Sequence, residues 1–93
     1  MKTIQDLKAA AKARLSKSEL AALVNSVRTS LKAVQMDESF VIVLAVNQLL
    51  GEGDTDSADH LTKFGYDWCG FNAMRSSINL FCKVSGLPPM PVE

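Results

Sequence analysis

A chain of 93 residues has room for one domain and one modest core, because folding at this size withdraws somewhat more than ~60% of the unfolded surface from water. Hydrophobic residues make up 47% of it, and ten basic residues balance ten acidic ones. That profile excludes the low-hydropathy, highly charged composition of a disordered chain and the overall basic bias of many nucleic-acid binders. The longest apolar run, FVIVLAV at 40–46, is far short of the ~20 residues that span a bilayer.

The first helix is expected from Ile4 to Arg14. Thr3 with Asp6 three positions on resembles a capping box, and Ile4, Leu7, Ala11 and Leu15 follow helical spacing while Lys8 and Lys12 lie on the other side. A second helix is expected from 17 to about 35. Ser16 and Glu19 form an S-x-x-E capping box, and Leu15 and Leu20 occupy the positions of a hydrophobic staple. Leu20, Leu23, Val24, Val27, Leu31 and Val34 then share one stripe about 100° wide.

The segment from Phe40 to Leu50 contains good strand residues, but it continues unbroken to Gly51 and has no strand elsewhere to pair with. It reads as a helix apolar all round, with Asp37 or Ser39 as N-cap and Gly51 as C′, placed at the centre of a bundle or in a subunit interface. A short fourth helix is expected over Ser57–Phe64, capped by Asp56 or Ser57 and closed by Gly65. The last has Asp67 as N-cap, a staple of Tyr66 and Phe71, a core stripe of Phe71, Met74, Ile78, Phe81 and Cys82, and an end near Ser85–Gly86. The expected fold is thus all-α: one domain over 1–93, a compact bundle of four to five helices with a long amphipathic second helix, and a short proline-rich tail at 87–93.

Charge is unevenly distributed along the chain. Residues 1–34 carry a net of +5 and residues 35–60 a net of −6. The stretch GEGDTDSADH at 51–60 gathers four acids and the single histidine, His60. It fails as a calcium loop begun at Asp54, since Ala58, Asp59 and Gly65 stand where an oxygen ligand, a glycine and a bidentate glutamate belong. One imidazole with no nearby cysteine is a poor transition-metal set. The stretch reads as a solvated connection, and no metal or cofactor is expected.

No nucleophile elbow, zinc-protease helix, phosphate loop or CxxC occurs, so the chain does not read as an enzyme. Cys82 reads as a small buried hydrophobe, and Cys69, placed in the first turn of a helix, as a thiol with a lowered pKa. The two thiols and the absence of a secretory-type apolar segment at the N-terminus suggest a cytoplasmic setting.

What remains is binding. Lys17, Arg28 and Lys32 flank the apolar stripe of the second helix and, with Lys8, Lys12 and Arg14, form a candidate basic surface for an acidic protein or for phosphates. Asp54 and Asp56 supply a candidate acidic surface. Tyr66 and Trp68 sit at a helix entrance, where contact residues often lie. The reading is a small non-catalytic protein–protein interaction module, an inhibitor, adaptor or accessory subunit. The alternative is a nucleic-acid-associated regulator using the basic face, and self-association through Phe40–Leu50 is a third possibility.

Overall fold

The computed structural model describes residues 3–30 and 37–86, which form five helices and, among the described residues, no strand. They are α1 (Ile4–Lys12), α2 (Lys17–Ser30), α3 (Glu38–Gly51), α4 (Thr55–Cys69) and α5 (Phe71–Ser85). The fold is an all-α bundle, as the hydrophobic pattern predicts. The expected extension of α2 through Leu31 and Val34 and the proline-rich tail lie outside the described residues.

The start of α1 carries one arm of its capping box, with the Thr3 amide donating to the Asp6 carboxylate at 2.7 Å. The helix stops two residues earlier than expected because Arg14 takes the left-handed conformation, φ 57°. The Leu15 amide then reaches back to the Ala10 carbonyl and the Arg14 amide to that of Ala11, which is the hydrogen-bond pattern of a Schellman end. At the start of α2 one arm of the expected capping box forms, with Ser16 Oγ accepting from the Glu19 amide at 3.4 Å, while the same hydroxyl donates to Glu19 Oε1 at 2.9 Å. Leu20, Val24 and Val27 of its stripe are buried and Leu23 is half-buried.

The apolar segment is a helix, and α3 is the centre of the molecule. Val41, Ile42, Val43, Ala45 and Leu49 are buried, and α3 packs against all four other helices. This is the environment that a helix without a polar face requires. Its end differs from expectation: Gly51 is still helical, Glu52 is the C-cap, and Gly53 supplies the positive φ of 80°. The Asp54 amide closes this turn on the Leu49 carbonyl.

The largest difference is α4, which begins at Thr55 and runs through Gly65 to Cys69. Gly65 does not stop the helix. It is the point of closest approach, where an added Cβ would stand 2.7 Å from the Met74 methyl and 3.2 Å from a methyl of Ile42. The break falls instead at Gly70, whose φ of 93° and ψ of 158° belong to glycine alone. Asp67 is therefore a helical residue rather than an N-cap, and Phe71 is the first residue of α5 rather than its fourth. The staple of Tyr66 and Phe71 becomes a contact across the α4–α5 break, and Phe71, expected in the core, is 64% exposed. Met74 and Cys82 are buried as predicted, and Ile78 and Phe81 are half-buried.

Candidate partner-binding surface

The basic residues of the first two helices do not form one free surface. Lys8, expected to face solvent, is buried at 6% exposure, where it forms an ion pair with Glu52 and donates to Gln48 Oε1 at 3.2 Å. Lys12 holds the other oxygen of Glu52 at 3.0 Å. Arg14 donates through Nη1 to the Ala11 carbonyl and to Ser57 Oγ. Lys17 pairs with Asp67 of α4 at 2.7 Å, and Arg28 pairs with Glu38 of α3 at 3.3 Å. Eleven residues apart, Lys17 and Arg28 are separated by about 16 Å along α2. Lys32, the third member of the expected patch, lies outside the described residues.

The acidic stretch is largely consumed in the same way. Lys8 and then Lys12, by hydrogen bonds to Glu52, hold its pKa below the ordinary 4.5. Asp54 is the N-cap of α4 and accepts from the Ser57 amide at 3.1 Å. The hydrogen bonds from the Ser57 side chain and backbone keep its pKa below 3.8. So Asp54, not Asp56 or Ser57, caps this helix. Asp59 pairs with Lys63 one turn on, at 3.2 Å. Asp56 is exposed and has no counter-charge among the described residues. His60 is half-buried with its Nε2 unpartnered, and no group of three His, Cys, Asp or Glu converges among the described residues.

Of the two aromatic candidates, Trp68 is half-buried and stacks on Phe64 with ring centroids 5.5 Å apart. Tyr66, also half-buried, packs on Phe71 at 5.7 Å, and the Arg75 guanidinium lies 5.8 Å from the centre of the same Phe71 ring. The exposed aromatic of the region is therefore Phe71. Composition alone could not separate it from the core, because its exposure follows from the position of the α4–α5 break.

Cys69 ends α4 instead of beginning a helix, so the helix dipole does not favour its thiolate. Burial, with Glu38 and Asp37 adding to it, pushes its pKa up. Both cysteines are free and lie on different helices.

Shallow hollows open on the surface formed by the described residues. One, of about 440 Å³ between α3 and α4, is lined by Val46, Leu50 and Ala58 with Thr55, Asp56, Asp59 and Thr62. Another, of about 300 Å³, lies where Leu15 and Leu20 meet Phe64 and His60. Besides Phe71, the exposed large apolar side chains among the described residues are Leu50, Leu80 and Val84. A helical wheel marks Leu80 and Val84, which fall to one side of the stripe through Met74 and Cys82. Within Phe40–Leu50, the segment expected to self-associate, Val41, Ile42, Val43, Ala45 and Leu49 are core, while Asn47, Gln48 and Leu50 are exposed.

No helix among the described residues is long and apolar enough to cross a membrane. No protein-family model, curated protein or solved structure matches the chain.

Proposed function

We propose that this chain is a small, non-catalytic protein-interaction module that acts as an inhibitor, adaptor or accessory subunit of a larger protein. The observation that carries this reading is the exposed Phe71 ring, held between Tyr66 and Arg75 at the α4–α5 junction. Exposing a phenylalanine to water is unfavourable, whereas a ring already ordered by two neighbours loses little entropy when a partner covers it. Aromatic and arginine side chains also dominate the energetics of protein interfaces. The working compartment in this reading is the cytoplasm, where free thiols such as Cys69 and Cys82 stay reduced.

The nucleic-acid alternative has less support, because Lys8, Lys12, Lys17 and Arg28 are each paired within the chain. The test is a pull-down of native lysate with the tagged full chain, with and without nuclease, beside a Phe71→Ala variant. One protein retained despite nuclease and lost with Phe71→Ala is the expected result. Retention that disappears with nuclease supports the alternative instead, and a partner that ignores Phe71→Ala removes the junction from the account.

A further inference from the structure

We propose that a second copy of this chain docks on the first head-to-tail, with Leu80 and Val84 of α5 entering the groove between α3 and α4. This goes beyond the reading above and uses a surface apart from Phe71. The receiving groove is lined by Val46, Leu50 and Ala58, with Leu50 51% exposed, together with Asp56 and Asp59. The entering face carries Leu80 at 51% and Val84 at 74% exposure. Four residues apart, they stack one turn above each other.

Charge distinguishes this occupant from an arbitrary apolar segment. The sequence of α5 contains Arg75 and Lys83 and no acid. Lys83, beside Leu80 and Val84, is exposed and has no ion-pair partner among the described residues. Asp56, at the groove, is likewise without one. Lys8, Lys12, Lys17, Arg28 and Lys63 each pair with an acid of their own chain, so the unpaired cation on the entering face and the unpaired anion on the receiving face are complementary.

A chain does not fill its own groove. Phe81 packs on Phe40 at the start of α3, with ring centroids 6.4 Å apart. The groove opens beside Val46 and Leu50 near the other end, about 15 Å along the axis from Phe40 to Leu50. Joining unlike surfaces makes a heterologous contact, which builds a ring where the rotation closes and an open chain where it does not. With two aliphatic anchors, the contact belongs to the small, transient class of interface.

The test is sedimentation equilibrium of the full chain at concentrations rising to about 1 mM, with Leu80→Gln, Leu50→Gln and an equimolar mixture of the two variants. Wild type should show an average mass that rises above the monomer. Each variant alone should stay monomeric, and the mixture should give a dimer and nothing larger, since each partner supplies the surface the other lacks. Lys83→Asp and Asp56→Lys should each weaken association about tenfold, and the two together in one chain should restore it. These charges are exposed, so this arm reads out even where an apolar substitution disturbs folding. Phe71→Ala should associate like wild type, which separates this proposal from the one before it. A wild-type chain monomeric throughout, variants that associate unchanged, or a mixture that stays monomeric overturns it.

Discussion

Lys8, on the first helix, meets Glu52 at the turn that ends the third, and the ammonium group is buried while the carboxylate remains partly open to water. The two sides of this pair are therefore unequal. Removing the carboxylate leaves a buried cation without its counter-charge, whereas removing the cation together with its charge leaves an acid that water and Lys12 still stabilise. Glu52→Gln is expected to lower the urea midpoint more than Lys8→Met, which keeps the length of the side chain and comes out near neutral or stabilising. The opposite ranking would contradict the burial of Lys8.

The same carboxylate sets an acid limit. Glu52 and Asp54 both have pKa values depressed in the folded state, from 4.5 and 3.8. A depressed acid contributes stability that is full above its unfolded pKa and is lost as pH falls through its folded value. Stability from these two groups should therefore hold from neutral pH down to the unfolded values of 4.5 and 3.8 and decline as pH falls below them. The decline should be shallower in Glu52→Gln, read as the dependence of urea midpoint on pH. Equal slopes in the two proteins would remove Glu52 from the explanation.

Gly65 offers a test of packing against propensity. Alanine is the better helix former by ~1 kcal/mol, but its methyl meets the buried end of Met74, and overpacking of this kind costs ~1–3 kcal/mol. Gly65→Ala is expected to destabilise by about 1 kcal/mol. In a Met74→Ala background only the 3.2 Å approach to the Ile42 methyl remains, and the same substitution should turn from destabilising to neutral or stabilising. A double-mutant cycle measured by chemical denaturation reads the change.

Ser39 of α3 and Ser77 of α5 share a buried hydrogen bond of 2.6 Å. Either serine replaced alone by alanine leaves the other hydroxyl buried and unpaired, at a cost of ~1–3 kcal/mol. Replacing both is expected to cost less than the sum of the single changes, because no orphan remains. Additive losses would mean that water reaches the survivor.

The elements legible from sequence are those fixed by local chemistry. Ser16 and Glu19 announced the start of α2 because their hydrogen bonds to each other close within four residues. The helical state of α3 followed from its length and the lack of a strand partner. What misled were signals whose meaning is set at long range. Gly65 has the residue type of a helix stop, yet its role is to admit Met74 and Ile42, which no neighbour in sequence reveals. Moving the break from Gly65 to Gly70 turned Asp67 from a cap into the partner of Lys17 and put Phe71 on the surface. Lys8 has the chemistry of a surface residue, and its burial depends on Gln48 and Glu52 arriving from the far end of another helix. Sequence also could not tell which charges have partners in the fold: Lys17, Arg28 and Asp54 each have one within the chain, while Asp56 is left open.

The central position of α3 has a consequence for how the chain acquires its shape. As the polypeptide emerges from the ribosome, α1 and α2 come first, yet each packs against α3 as well as against the other. When α3 follows, its apolar circumference is still bare on the sides that α4 and α5 will cover. No half of this molecule encloses its own apolar surface, so α5 must have been made before the core around α3 can close.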